Sequence, residues 1–345
     1  MLDDLKYIHE KDAADALGIA ERQCAQLTQA ISLANDKQFN GVANIVFAGM
    51  GGSSLAALLL HTWPTITLPF EIVREYDIPP YVDGKTLFIA SSYSGNTEET
   101  LSALEQAEAK GAQIAIIAAG GKLQQVAEQK GYVLALLPKA EQPRYAVLSS
   151  LRASLEVLAK AGVVKMDDLV PQMEQAAGFL KTEVQKWRAE VPTANNPAKQ
   201  LAQELMGKSV VVYGGPKMFP AAYKWKISCN ENAKHIAWTN QIPEFNHNEF
   251  IGWSKQPVDK PYAVVDLRSS LEHPRVQKRF EVSARLLSGM RPEPIVVNAQ
   301  GQGVLQHLLW TVAYGDFVTL YLALLNGLNP APVELVEKFK KALDE

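Results

Sequence analysis

The sequence predicts an α/β protein made of two domains, each a mainly parallel sheet flanked by helices in an αβα sandwich, with a helical C-terminus. Three observations predict it. Short apolar runs of strand type alternate with amphipathic stretches over residues 44–137, the pattern of right-handed βαβ units with helices on both sheet faces. A strand, clustered glycines and a helix start recur in the second half, where VVVYGGPKMFPAA at 210–222 follows the outline of IVFAGMGGSSLAA at 45–57. Between them the Pro- and Asn-rich stretch PTANNP at 192–197 reads as a linker. It divides the chain into domains 1–192 and 193–345.

The elements follow in order. Residues 1–40 are expected to be helical, because Ala14, Leu17, Ala20, Cys24, Leu27 and Ile31 recur at three- and four-residue steps. Strand 44–48 (NIVFA) leads through Gly49, Gly51 and Gly52 into a helix that Ser53 and Ser54 open and that runs to about Leu60. Strand 71–74 follows, then strand 86–90 (TLFIA), a turn rich in hydroxyls, and a helix over 97–110. Strand 113–118, a helix over 122–130 and strand 132–137 complete the first sheet, and helices over 145–161 and 166–189 lead to the linker. Strand 209–213, a helix from Met218, strands 262–267 and 294–298, and helices 273–289, 304–325 and 332–343 make up the second half.

Composition narrows the class. A chain of 345 residues, 47% hydrophobic and 21% charged, has the length for two domains and the apolar content for sizeable cores. A net charge of −3 and a pI near 6.1 lack the basic footprint of a nucleic-acid binder. Cys24 and Cys229 are too few and too far apart for a disulfide framework or a zinc site, and they suit a reducing, cytoplasmic setting. The charged, amphipathic N-terminus has no apolar core of a secretory signal. Val304–Leu325 has the length and apolarity of a membrane span, yet Gln306, His307, Thr311, Asp316 and Thr319 are costly in lipid, so a buried core helix is expected.

Two turns carry the functional signal. A strand, a glycine turn and a helix N-terminus at 44–56 direct backbone N–H groups and the positive end of a helix dipole at one spot. No Gly-Lys-Ser/Thr follows, so this is not a nucleotide P-loop. The second turn, SSYSGNTEET at 91–100, sets hydroxyls at the C-terminal end of a strand, the edge where parallel sheets bind ligands. Helix-start capping explains Ser, Thr and early glutamates equally well for a single turn, but two such turns in one sheet favour a phosphorylated small molecule. In the second half, Glu231 lies between two asparagines near a helix end, a poor dipole position for a carboxylate. Glu244, Asn246, His247, Asn248 and Glu249 then crowd one short segment.

These motifs carry a resemblance. SYSGNT at 92–97 resembles the SxSGxT motif of the sugar isomerase (SIS) domain family. The GMGGS turn at 49–53, QPR at 142–144, NENAK at 230–234 and NHNE at 246–249, in this order, are similar to the bifunctional phosphoglucose/phosphomannose isomerases within it. The resemblance implies two SIS-type domains and a metal-free, cofactor-free aldose–ketose isomerase acting on a hexose 6-phosphate. It implies Glu231 as the base between C1 and C2, Arg144 as the cation beside the enediolate, and His247 with a C-terminal lysine in ring opening. Of Lys338, Lys340 and Lys341, Lys340 is chosen because it falls near the face of Val333 and Val336. Gly52, Ser53, Ser92, Ser94 and Thr97 are implied to hold the phosphate. The implied partner is a second copy of the chain, a homodimer with a shared active site, without nucleic acid or membrane. A non-catalytic sugar-phosphate-binding regulator, or a SIS isomerase of another sugar phosphate, is the alternative.

Overall fold

Strands enclosed on both faces read as unbroken apolar runs, and residues 45–48 and 87–90 are such runs. Ile45, Val46 and Phe47 are fully buried, as is every residue from Thr86 to Ser92. The computed structural model describes residues 1–139, 143–255 and 261–343. It divides into two compact units, Arg22–Gly178 and Met1–Glu21 together with Phe179–Glu345.

The unit Arg22–Gly178 has a six-stranded sheet of β1 (Leu33–Ala34), β2 (Asn44–Ala48), β3 (Phe70–Val73), β4 (Thr86–Ser92), β5 (Gln113–Ala118) and β6 (Val133–Leu136). The spatial order is β1-β6-β5-β4-β2-β3, parallel except for β1 against β6. From β2 the chain passes to β3 on one side, and then to β4 on the other. Their C-terminal ends, with Ala48 opposite Ala90, therefore form the switch point where open α/β sheets bind ligands. Val46, Phe88, Leu104, Ile116 and Leu123 are among the residues of a core on one face of this sheet.

The other unit has a four-stranded parallel sheet of β7 (Ser209–Gly214), β8 (Ala237–Gln241), β9 (Tyr262–Arg268) and β10 (Ile295–Asn298), ordered β10-β9-β7-β8. The helix Val304–Leu325 is the only one among the described residues long and apolar enough to cross a membrane, and 89% of its apolar window is buried inside the structure. Helix Phe219–Ala233 packs on it. Trp225 Nε1 donates to Thr311 O at 2.8 Å, and a Cβ at Gly315 would come within 2.1 Å of that nitrogen, so only glycine admits the indole.

Two element expectations need correction, and the compact units divide the chain differently from the expected domains. Residues 1–40 form two short helices, Leu5–Lys11 and Ala16–Arg22, a 3-10 turn Gln23–Leu27 and strand β1. The break comes at Asp12, whose carboxylate accepts the N–H groups of Ala16 and Leu17 at 2.8 and 2.9 Å and so starts a new helix. The unit boundary also differs from the expected 192/193. Residues 1–21 join the second sheet's unit, where Tyr7 Oη donates to Leu324 O at 2.7 Å and the Asp3 carboxylate accepts from Thr193 and Lys199. The stretch read as a linker lies inside that unit. There Asn196 is buried and caps helix Pro197–Leu205 through Ala198 N and Lys199 N. Helix Met166–Glu183 ends before 189, in a 3-10 turn Val184–Trp187 that buries Trp187 against Trp310, Tyr314 and Phe317.

Candidate active site

In the unit Arg22–Gly178 the two turns meet at the switch point. Gly49 is required there, because a Cβ would lie 2.8 Å from Ser91 O of the neighbouring strand. Helix Gly51–Leu60 then begins after Met50, which offers it no side-chain cap. The serines read as opening this helix have other tasks. Ser53 Oγ accepts Tyr93 N at 3.1 Å, tying the first turn to the second, and Ser54 Oγ donates back to Gly51 O at 2.9 Å.

The second turn is a cluster of hydroxyls. Ser92 Oγ lies 2.7 Å from Thr97 Oγ1 and 3.3 Å from Ser94 Oγ, and accepts Gly95 N at 3.1 Å. Thr97 occupies the N-cap position of helix Glu98–Ala109 but does not cap it with its side chain. Gly95 has φ of +69°, and a Cβ there would meet Gly120 O at 1.8 Å, so the turn is tightly seated. Ser92 is buried and Ser94 exposed, so the cluster runs from the strand end outward to solvent.

Arg144 belongs to the same unit, on the 3-10 turn Pro143–Tyr145. It is buried, with its guanidinium 4.7 Å from the centre of the Tyr145 ring. The backbone of this turn abuts Gly52, where a Cβ would lie 3.3 Å from Pro143 O and 3.4 Å from Arg144 Cα. Gly52, Ser53, Ser92, Ser94, Thr97 and Arg144 are thus linked through adjoining turns. Gln142 lies outside the described residues.

The other unit carries Glu231 and His247. Glu231, half-buried, sits near the end of helix Phe219–Ala233, which Lys234 terminates in the left-handed conformation at φ of +49°. Its flanking asparagines hold the helix end in place. Asn232 Nδ2 donates to Thr319 Oγ1 at 3.0 Å, and Asn230 Oδ1 accepts Ala237 N at 3.1 Å. Earlier on the helix, buried Lys224 is paired with Asp316 and donates to Ser228 Oγ at 2.7 Å, while Ser228 donates to Asp316 at 2.9 Å.

In the crowded segment 244–249 most side chains form a hydrogen-bonded scaffold. Asn246 donates to Ser283 Oγ at 2.8 Å, and Asn248 to Glu244 Oε1 at 2.6 Å. The Glu249 carboxylate accepts from Tyr213 Oη and, at 2.8 Å, from Asn240 Nδ2, while Trp253 Nε1 donates to Tyr213 Oη at 3.0 Å. Burial and the Glu249 charge push the Tyr213 hydroxyl well above its ordinary pKa. His247 closes the 3-10 turn Glu244–His247 and is exposed. Tyr213, Asn240 and Trp253 had no signal of their own, being spread over two strands and a later turn.

Lys340 departs from expectation. It is exposed and paired with Glu337 at 3.1 Å, on a helix Glu334–Leu343 that has no buried residue. Val336 is 47% exposed, so the face that was to turn Lys340 inward lies open among the described residues. Among the described residues, no three His, Cys, Asp or Glu side chains gather as a metal site.

Residues 38–163 match the SIS domain family, and residues 194–343 match the family described as bacterial phospho-glucose isomerase C-terminal SIS domain. A bifunctional phosphoglucose/phosphomannose isomerase of Caldicellulosiruptor bescii is 35% identical over 309 residues, 88% of this chain and 90% of its own length. The chain belongs to the bifunctional phosphoglucose/phosphomannose isomerase family. A relative named for a different reaction is also similar to the chain. A D-glucosamine-6-phosphate 4-epimerase of Sulfolobus acidocaldarius is 33% identical over 61% of this chain and 64% of its own. The crystal structure of a glucose-6-phosphate isomerase like protein from Thermus thermophilus shares the fold, with a TM-score of 0.66 at 18% identity, covering 99% of this chain and 98% of that one. Each family match falls on one of the two parallel sheets, so the two SIS-type domains expected of a bifunctional phosphoglucose/phosphomannose isomerase are present.

Proposed function

We propose that the chain interconverts glucose 6-phosphate and mannose 6-phosphate with fructose 6-phosphate by a metal-free proton transfer through a cis-enediol. In this reading the Glu231 carboxylate removes the proton from C2 of the open-chain aldose and delivers it to C1. A hydroxyl proton passes from O2 to O1 in the same sequence, so no redox partner is needed. Such a step requires one carboxylate as base and a cation beside the developing oxyanion, the role of Arg144. His247 and Lys340 would exchange protons with the ring oxygen and O1 as the ring opens. Gly52, Ser53, Ser92, Ser94 and Thr97 would anchor the phosphate, whose binding energy, remote from the chemistry, fixes the reacting carbons.

The observation that carries this reading is the hydroxyl turn. Thr97 stands where a helix cap should be, yet its hydroxyl joins Ser92 and Ser94, beside a second helix start that also lacks a side-chain cap. That arrangement suits a dianion better than it serves either helix. The same proposal holds the enzyme to be cytoplasmic and a homodimer with a shared active site. The exposed apolar residues Leu335, Val336, Phe339 and Leu343 on the Lys340 helix are its support for a second copy.

A coupled assay of purified protein on each hexose 6-phosphate tests the activity. Turnover of both glucose and mannose 6-phosphates is expected. Turnover of neither, with retained binding of the phosphosugar, would mark a regulator, and turnover confined to another sugar phosphate would mark the alternative enzyme.

A further inference from the structure

The two sheets are built alike, and the likeness extends to the turn that follows their central strands. In the first unit β2 and β4 pair with Ala48 opposite Ala90; in the second β7 and β9 pair with Tyr213 opposite Asp266. The chain from Ala90 to the N-cap Thr97 has the same length as that from Asp266 to the N-cap His273. The turn SYSGNT at 92–97 therefore has its counterpart in RSSLEH at 268–273, facing the glycine turn after β7 as the first faces the glycine turn after β2.

The counterpart has no uncommitted hydroxyl cluster. His273 caps its own helix through Nδ1 and Arg275 N at 3.1 Å, as Thr97 does not. Arg268 is paired with Asp266 at 3.0 Å, and Ser269 Oγ is bonded to His307 Nδ1 at 2.8 Å. The decisive difference is at the position of Asn96. In the first unit the Asn96 side chain turns away and accepts Lys122 N at 3.0 Å. In the second, Glu272 is 4% exposed and its Oε1 accepts Lys217 N at 2.7 Å and Met218 N at 3.2 Å, at the start of helix Phe219–Ala233. The same oxygen would lie 2.5 Å from a Cβ on Gly215, so the carboxylate fills the space against the glycine turn. Beside Glu272 is a cavity of ≈ 210 Å³ that Arg268, Ser269, Ser270 and Asn298 also line.

We infer that Glu272 is a resident anion occupying the second unit's counterpart of the phosphate crevice, so that each chain takes one phosphorylated ligand although its fold is doubled. The inference rests on the reading that Ser92, Ser94 and Thr97 hold phosphate in the first unit. Its physical basis is that a helix start supplies free N–H groups and positive potential, and a carboxylate delivered by the chain itself satisfies both without loss of a mobile ligand's freedom.

Calorimetric titration of the full chain with inorganic phosphate tests it, with circular dichroism to establish folding. The wild-type chain should bind one phosphate. Glu272→Ala should bind two, while Glu272→Gln, which keeps an oxygen on the two N–H groups, should bind one. Should the alanine variant not fold, Glu272→Ser, whose short side chain likewise withdraws the carboxylate from the two N–H groups, carries the same expectation. Two phosphates on the wild-type chain, or a single phosphate on a folded Glu272→Ala or Glu272→Ser variant, would overturn the inference. The reading beneath it fails separately. Ser94→Ala/Thr97→Ala should remove the wild-type phosphate, and its survival would refute the hydroxyl turn while the gain in Glu272→Ala still judged Glu272.

Discussion

Replacing Ser94 and Thr97 together by alanine separates phosphate binding from architecture, because the geometry assigns the two roles different magnitudes. Thr97 gives no side-chain cap to helix Glu98–Ala109, so the usual penalty of about 1 kcal/mol for losing an N-cap does not apply. The structural loss is the 2.7 Å contact of Thr97 Oγ1 with Ser92 Oγ and the weaker Ser94 contacts at 3.3 Å, together about 1–2 kcal/mol. For a domain of this size that lowers the melting temperature by only a few degrees, roughly 2–4 °C per kcal/mol. Two donors lost to a phosphate dianion cost more, about 1.5–3 kcal/mol each. The affinity for fructose 6-phosphate should therefore fall by about a hundredfold or more at roughly 1.4 kcal/mol per decade. Fructose without its phosphate should bind equally poorly before and after. Calorimetry and thermal unfolding on the same preparation give both numbers. A variant that melts early but binds fructose 6-phosphate within about threefold of wild type would show that the hydroxyl turn is architecture only.

Four further outcomes are expected. Glu231→Gln keeps the shape but not the basicity of the side chain, so kcat should drop roughly a hundredfold or more with fructose 6-phosphate affinity retained; near-wild-type turnover would remove Glu231 from the mechanism. Dialysis against EDTA should leave isomerase activity unchanged, and activity lost to the chelator and restored by zinc or manganese would replace the enediol reading with a metal-assisted one. Asp316→Ala strands buried Lys224 and should cost about 3–5 kcal/mol in denaturant unfolding, and a loss below about 1 kcal/mol would show the pair to be solvated. Burial raises the Asp266 carboxyl above its ordinary value against the opposing pull of Arg268, so the folded state binds more protons than the unfolded one as pH rises from about 3.8. Wild-type stability should then fall relative to Asp266→Asn over that window, and denaturant titrations showing the opposite slope would contradict the assignment.

How legible each part was in the sequence follows from what its residues face. Strand β4 could be read because both of its faces are covered, leaving an apolar run with no competing period. Strand β8 (AWTNQ) could not, since Trp238 is exposed and Thr239, Asn240 and Gln241 are only partly buried. The three- and four-residue spacing over 14–31 is real, but periodicity does not register a carboxylate such as Asp12 that accepts two backbone N–H groups and restarts the helix. The stretch 192–197 shows the same limit. Pro and Asn mark breaks in helices, and here the break is the capped start of another helix within one unit.

The candidate site divides along the same line. Residues whose chemistry shows in their type were visible in the sequence: a carboxylate at an unfavourable helix end, a histidine among amides, and hydroxyls after a strand. Invisible were the residues that make those positions usable, because their partners come from distant elements. Glu249 is held by Tyr213 and Asn240, and the Glu231 helix is fixed by Asp316 and Thr319 on Val304–Leu325. The doubled fold sharpens the point. Both units present a strand, a glycine turn and a helix start, which is all that periodicity and turn chemistry can specify. Whether that frame is open to an anion then depends on one side chain, asparagine turned aside at 96 or glutamate turned inward at 272. On the proposed reading, binding competence in this architecture is set at the turn, by which group satisfies the helix N-terminus, rather than by the strands that carry it.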